Sequence, residues 1–244
     1  MDVRLLDPRE PLAAAAVEAI RTGDVTGLRT LLRRHPGLVT ARMGDGKESR
    51  TLLHIATDWP GHFPRGKEVV AALIAAGADV GARFVGPHTE TPLHWAASTD
   101  DVAVLDVLLD AGADIEADGA VIADGTPLAD AVAFGQWRTA RRLVERGART
   151  TLWQAAALGE TARVEAYFAD PEAAPDAQDV TDALWCACLG GQRAVAAYLL
   201  ERGGDVDWIG FDGLTALDVA RREGHETLAA WLLARGARSA ADPG

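Results

Sequence analysis

The segment Thr91-Pro92-Leu93-His94-Trp95-Ala96 decides the fold of this 244-residue chain. Threonine is a favoured residue before a helix, proline fits the first helical turn, and apolar residues then recur at helical spacing. The segment therefore predicts the start of a short amphipathic helix. Its frame, Thr-x-Leu-x-x-Ala, returns at residues 51–56, 126–131 and 215–220, and weaker copies begin at Thr150 and Asp182.

Each copy of the frame is followed by a turn and by a second apolar run with helical spacing, such as residues 102–109. Most of these runs end in glycine, which is typical of a helix C-terminus. We therefore predict that each unit is a pair of helices joined by a turn. One such unit is too small to bury its apolar faces alone, so consecutive units must stack and share a core.

The motif Thr-Pro-Leu-His-x-Ala at residues 91–96, followed by Gly-Ala-Asp at residues 112–114, resembles the signature of the ankyrin repeat family. The resemblance covers nearly the whole chain, because residues 14–39 look like a degenerate first repeat. It implies an all-α ankyrin-repeat solenoid of about seven helix-turn-helix units with short connecting β-hairpins. We expect a single domain over 1–244, with units at about 10–42, 43–83, 84–117, 118–149, 150–177, 178–209 and 210–240 and a short tail at 241–244.

The spacing of the units is uneven, with frame starts at about residues 14, 51, 91, 126, 150, 182 and 215. The second unit holds an insertion at residues 59–66, where other units have a short turn, and the next hairpin is lengthened around residues 84–88. The short step from 126 to 150 predicts the loss of a hairpin. We therefore expect two of the connecting β-hairpins to be extended and one to be missing.

The composition limits the class of partner. The chain has 24 basic and 36 acidic residues, a net charge of −12, which argues against nucleic acid and anionic membranes as partners. No apolar run is long enough for a membrane helix and the N-terminus is charged, so we expect a cytoplasmic protein. The two cysteines, Cys186 and Cys188, point to different faces of a predicted helix, which favours packing over a disulfide. We expect no metal and no cofactor.

The ankyrin resemblance implies a concave surface, lined by hairpin tips and the turn-side ends of the first helices, that binds partners. Trp59 and Trp208 lie where the chain enters a turn or a hairpin, so their indoles could serve as binding platforms, whereas the other five tryptophans are expected in the core. The positions predicted to contact a partner are Asp58, Trp59, His62, Phe63, His88, Glu90, Ser98, Thr99, Phe134, Trp208, Phe211 and Asp212.

Two function classes remain open from the sequence. The favoured one is a monomeric, non-catalytic binding module that presents the groove to a protein or peptide partner with a basic or neutral surface. The alternative is a small-molecule binding protein or an enzyme, with a pocket walled by the 59–66 insertion and the 84–90 hairpin. No catalytic motif supports the enzyme, and its candidate catalytic residues are Asp58, His62, His88 and Glu90.

Overall fold

The computed structural model describes residues 4–45 and 47–242, and within them fourteen α-helices form seven consecutive pairs. The first four pairs are α1 (Pro11–Thr22) with α2 (Val25–Arg34), α3 (Leu52–Thr57) with α4 (Gly66–Ala75), α5 (Pro92–Ser98) with α6 (Val102–Asp110), and α7 (Pro127–Ala133) with α8 (Trp137–Glu145). The last three are α9 (Leu152–Leu158) with α10 (Thr161–Ala166), α11 (Ala177–Leu189) with α12 (Arg193–Leu200), and α13 (Ala216–Arg222) with α14 (Glu226–Leu233).

The chain divides into two compact units between Ala148 and Arg149. In the first unit, α1, α3, α5 and α7 pack side by side, and α2, α4, α6 and α8 form a second layer against them. Leucines from successive repeats, such as Leu93, Leu105 and Leu128, are fully buried between these layers. Each repeat therefore completes its core with side chains from its neighbours, as the stacking argument predicts.

The second unit repeats this arrangement, with α9, α11 and α13 in contact and α10, α12 and α14 packed on their respective first helices. Both cysteines of α11 are buried and free of disulfide bonds, and burial raises the pKa of the Cys188 thiol to about 12. They are packing residues, as predicted. Of the five tryptophans expected in the core, Trp185 and Trp231 are buried and the other three are half-buried.

Strands are confined, within the described residues, to one small sheet near the start of the chain. Strand β1 (Leu5–Leu6) runs parallel to β2 (Arg42–Gly44), which forms a hairpin with β3 (Ser49–Arg50). The next connection adds a single bridge from Val85 to Ser49. Only six residues, 146–151, separate α8 from α9, and they contain no strand, so the hairpin that was predicted to be missing is absent.

The helices begin where the threonine frame predicts, with two corrections. In the fifth repeat the capping residue is Thr151, one residue after the predicted Thr150, because the Gln154 side chain accepts a hydrogen bond from the Thr151 backbone N–H at 2.8 Å. In the sixth repeat α11 starts well before Asp182. Its N-cap is Asp176, whose carboxylate accepts from the Asp179 backbone N–H at 2.8 Å and so starts the helix early.

The insertion at residues 59–66 lies in the row of turns that join first and second helices. Gly61, with φ +72°, passes close to Thr99, and a Cβ built there would lie 2.6 Å from the Thr99 Cβ. On the other side, Gly23 approaches the carbonyl of Pro64 so closely that a Cβ would lie 2.2 Å from its oxygen. The insertion is therefore wedged between the turns of the repeats before and after it.

Replacing Gly61 by alanine should lower the free energy of unfolding by roughly 2–4 kcal/mol, because the new methyl group adds a clash to the strain of a left-handed backbone. The matched control is Gly224→Ala, since Gly224 has φ +76° but no atom within 4 Å of the position that the new methyl group would take. That control should lose only about 1–2 kcal/mol from strain. Urea unfolding of both variants measures the difference, and equal losses would contradict the wedged position of the insertion.

Candidate functional site

A cluster of aromatic and ionisable side chains lies at the hairpin end of α3 and α5 in the first unit. The rings of Phe84 and His88 stack with centroids 4.6 Å apart, and Phe84 lies 5.7 Å from Trp95. His54 meets the edge of Trp95 at 4.9 Å. These four rings, together with Glu90, are called the central cluster below.

Glu90 connects three repeats within the central cluster. Its carboxylate accepts from Trp95 Nε1 at 2.7 Å and from the Val121 backbone N–H at 3.3 Å, and its Oε2 lies 2.9 Å from His88 Nδ1. Its backbone oxygen accepts from His54 Nε2 at 3.1 Å. Glu90 is also buried. Its carboxylate is therefore held within the protein and is not available to a partner.

Asp130 of α7 is a second buried carboxyl beside Glu90. It is fully buried, and among the described residues neither of its oxygens has a hydrogen-bond partner of good geometry. Burial raises the pKa of Asp130 to about 9, and charge repulsion from the adjoining Glu90 carboxyl adds to the rise. Asp130 therefore holds a proton at neutral pH, since two neighbouring carboxyls in a dry environment cannot both ionise without a large penalty.

An open cleft of about 710 Å³ lies beside the central cluster. Its walls come from the segment before α1, from the β2–β3 hairpin and from Phe84, His88 and Trp95. Arg50 also lines it and forms an ion pair with Asp58 at 2.8 Å. The cleft offers aromatic faces and charges of both signs, a combination that suits a peptide better than an enclosed metabolite.

Of the four candidate catalytic residues, His88 and Glu90 lie together, whereas Asp58 and His62 have other partners. Asp58 pairs with Arg50, whereas the backbone N–H of His62 donates to Asp101 Oδ2 at 3.2 Å beyond the C-terminal end of α5. His88 and Glu90 lie before the N-terminal end of that helix. The seven residues of α5 span about 10 Å, so the insertion and the 84–90 hairpin lie at opposite ends of the helix. The contacts do not bring these groups together as one acid–base site.

The other predicted binding residues of the first unit differ in exposure. Trp59 is 74% exposed and is the most open large apolar side chain among the described residues. Phe134 is also exposed and Phe63 is half-buried. Thr99 is buried instead, with its hydroxyl donating to the Trp95 carbonyl at 3.0 Å, and half-buried Ser98 donates in the same way to the His94 carbonyl.

The second unit contains an aromatic cluster of its own at the tip between α12 and α13. Phe211 meets the edges of Trp185 and Trp208 with ring centroids 5.1 and 5.6 Å away. Ile209 is 56% exposed and Phe211 is 49% exposed, whereas Trp208 is half-buried. Residues 208–211 are called the aromatic tip below. Gly210 permits its close packing, because a Cβ there would lie 2.0 Å from the Trp208 ring.

Acidic residues flank the aromatic tip. Asp212 pairs with Arg222 at 2.7 Å and Asp207 pairs with Arg238 at 2.9 Å. Asp205 accepts only from the Asp207 backbone N–H among the contacts of the described residues. Of these three acids only Asp205 has no arginine partner among the described residues, so the surface around the tip combines exposed rings with one unpaired carboxylate.

Sequence reasoning missed Asp130 and Ile209. The frame at residues 126–131 did carry a signal, because Asp130 stands where the preceding repeats have Trp95 and Ile55. A carboxyl at an apolar frame position indicates a buried acid. The exposure of Ile209 had no comparable signal. No group of three or more histidine, cysteine, aspartate or glutamate side chains suited to a metal ion occurs in the part of the chain that the structure describes.

The Asp130→Asn variant should remove a pH dependence of stability. Because the folded-state pKa of Asp130 is raised above its ordinary value of 3.8, its contribution to stability is lost as pH rises from about 4 to about 9. The slope can reach about 1.4 kcal/mol per pH unit. Asparagine cannot ionise, so the variant should gain stability relative to the native chain between pH 6.5 and 9.

The measurement is urea unfolding across that pH range. Burial lowers the pKa of His54 to about 3 and of His94 to about 4, and these groups act in the opposite direction, only below pH 6.5. The control is Asp114→Asn, the same change at an exposed position. Parallel pH curves for the native chain and the Asp130 variant would contradict the protonated state of Asp130.

Comparison with known proteins adds three observations. A family model described as ankyrin repeats in three copies matches residues 65–153 and 152–242. An ankyrin repeat and KH domain-containing protein of Caenorhabditis briggsae is 29% identical over 232 residues, which are 91% of this chain and 8% of that protein. The chain thus spans less than a tenth of the length of this curated relative.

Among solved structures, the human ASB11 ankyrin repeat domain aligns with 92% of this chain and 98% of its own, at a TM-score of 0.54 and 21% identity, which shows a shared fold. No helix within the described residues is long and apolar enough to cross a membrane. Since the family model spans most of the chain and the helix pairs carry the threonine-capped frame, this chain belongs to the ankyrin repeat family.

Proposed function

We propose that this ankyrin-repeat chain is a protein-binding module and that the aromatic tip of its second unit is a principal contact for the partner. The observation that carries the proposal is the exposure of Ile209 and Phe211, with the Phe211 ring held by T-shaped contacts to Trp185 and Trp208. Large apolar side chains held in a fixed position bind with little loss of conformational entropy, which is typical of interaction hot spots.

The charge around the tip supports a basic partner. Residues 149–244 contain 15 acidic and 8 basic side chains, and no basic residue occurs between Asp205 and Asp212. A partner segment with lysine or arginine next to an apolar anchor would place a cation beside the unpaired Asp205. We therefore propose a basic peptide or protein surface with an aliphatic or aromatic anchor. Trp59, Phe63 and Phe134 are proposed as further contacts in the first unit.

The small-molecule or enzyme alternative receives less support from the geometry. Its pocket needs the 59–66 insertion and the 84–90 hairpin as facing walls, but the contacts of His62 and His88 lie at opposite ends of α5. Glu90, one of its four polar groups, is already held by Trp95 and Val121. A macromolecular partner requires no enclosure and is therefore the function that we propose.

The Phe211→Ala variant tests this proposal. We expect a loss of at least tenfold in affinity for the partner, because truncation removes an aromatic anchor at the centre of the contact. Leu233→Ala is a matched control in the same unit, since Leu233 is 47% exposed and Phe211 is 49% exposed. Partners captured from cell extract by the native chain would be purified and titrated calorimetrically against both variants.

The two variants should melt at similar temperatures, so that affinity is compared between folded proteins. Equal affinity of the Phe211 and Leu233 variants for every captured partner would contradict the role of the aromatic tip. Loss of all binding in both variants would contradict it as well, because Leu233 is not a residue of the aromatic tip and its truncation should leave the contact intact.

The charge argument makes a separate prediction about salt. Association of the native chain with a basic partner should slow as ionic strength rises, because the steering field is screened beyond a Debye length of about 8 Å at 0.15 M salt. Stopped-flow measurement over roughly 20 to 500 mM salt gives the association rate as a function of ionic strength. An association rate that stays constant would contradict an electrostatically attracted partner.

A further inference from the structure

The second helices α6 and α8 show how this chain joins neighbouring repeats on the side away from the first helices. Arg142 Nε lies 2.8 Å from Asp106 Oδ1, and Arg146 lies 2.7 Å from both Asp106 and Asp110. The two aspartates are four residues apart on α6, and the two arginines are four residues apart on α8. Residues with this spacing share a helix face, so two carboxylates meet two guanidinium groups across the contact.

Helix α2 carries arginines at the positions that these aspartates occupy on α6. Arg29 and Arg33 follow the N-cap Asp24 by five and nine residues, as Asp106 and Asp110 follow the N-cap Asp101. Helix α2 packs against α4 as α6 packs against α8. The arginine pair of α2 therefore faces the next repeat, as the aspartate pair of α6 does.

Helix α4 has no side chain that can complete this contact. Aligning the buried residues Val69, Val70 and Leu73 of α4 with Thr139, Ala140 and Leu143 of α8 places Ala72 and Ala76 at the positions of Arg142 and Arg146. Two methyl groups thus replace two long side chains. The result is a groove of about 430 Å³ between the helices, with an apolar floor lined by Leu32, Pro36, Val39, Ala72, Ala75 and Ala76 and with Arg29 and Arg33 at its edge.

The two arginines have no carboxylate partner within the described residues. Arg33 donates to the Thr30 hydroxyl at 3.0 Å, and no ion pair is formed by either guanidinium in that part of the chain. Both side chains are exposed. The groove therefore presents two cations one helical turn apart above small apolar side chains, in a chain whose net charge is −12.

We propose that the groove between α2 and α4 binds an acidic helix of a partner protein, with two carboxylates one turn apart that pair with Arg29 and Arg33. The α6–α8 contact supplies the template, because there the same spacing of arginines is met by aspartates four residues apart. Guanidinium groups bind carboxylates through two parallel hydrogen bonds, which favours this ligand chemistry. The alanine floor accommodates the backbone and small side chains of the incoming helix.

This site is separate from the aromatic tip and takes a partner surface of opposite charge. The probe for it is a fluorescent, alanine-based helical peptide with glutamates at i and i+4 along one face. A second peptide of identical composition has its glutamates at i and i+2, so they lie on different faces. Anisotropy with the full chain at low salt should give at least tenfold tighter binding for the first peptide.

The Arg29→Ala/Arg33→Ala variant should weaken binding of the first peptide at least tenfold. The matched control is Arg21→Ala/Arg34→Ala, which changes the net charge equally at exposed positions outside the groove. That control should change the affinity less than twofold, and Phe211→Ala should also leave it unchanged. These controls separate failure of this site from failure of the proposed function at the aromatic tip.

A third variant tests the groove by adding side chains to it, and it keeps both arginines. Ala75→Glu/Ala76→Glu places two carboxylates at exposed positions that line the groove with Arg29 and Arg33, so peptide binding should be lost while the melting temperature is unchanged or raised. Binding that persists in this variant would overturn the proposal, as would equal binding of the two peptides or of the Arg29/Arg33 variant. Self-association of the native chain that the Arg29/Arg33 variant abolishes would assign the groove to a second copy and overturn the partner-helix assignment.

Discussion

The hydrogen bonds of the signature histidines are the interaction on which the rest of the first unit depends. The His94 ring takes a hydrogen bond from the Thr91 backbone N–H at 3.1 Å through Nδ1 and reaches the Gly125 carbonyl of the next repeat at 3.4 Å through Nε2. His54 links Thr51 to Glu90 in the same way. Because one nitrogen accepts and the other donates, the partners assign a neutral ring. These bonds fix the start of each first helix relative to the backbone of the next repeat.

The central cluster is built on this backbone linkage. The carbonyl that His54 binds belongs to Glu90, so the same bond that joins two repeats also sets the position of the Glu90 carboxylate. That carboxylate then holds Trp95 and approaches Asp130. A polar chain thus crosses three repeats within a core that is otherwise filled by leucine and alanine. Its members are buried together, so a change in the protonation of one affects the others.

Local sequence signals predict the parts of the fold that local chemistry determines. Caps at Thr51, Thr91 and Thr215, the buried cysteines and the missing hairpin follow from spacing and residue type alone. The early start of α11 was missed because Asp176 caps the helix outside the threonine frame. The path of the insertion was missed for another reason: it depends on contacts of Gly61 and Pro64 with other repeats, and no local pattern specifies those partners.

The site was less predictable than the fold. Exposed Trp59 and Phe211 were found because aromatic residues in connecting segments are unusual, but Glu90 and Thr99 lie inside although they occupy comparable segments. Burial at these positions is decided by neighbours that are about 30 to 40 residues away in sequence, such as Val121 for Glu90. A single sequence supplies the residue types but not which of them will meet.

The contrast between the α2–α4 and α6–α8 contacts has a wider meaning for tandem architectures. Neighbouring copies of one structural unit meet through equivalent positions, and a charged pair forms only where the residues on both sides are complementary. Where one side carries small residues, the charges on the other side stay unpaired and space opens in front of them. A modular scaffold can therefore acquire a binding surface by changing a few side chains at one repeat contact, with no change in the path of the backbone.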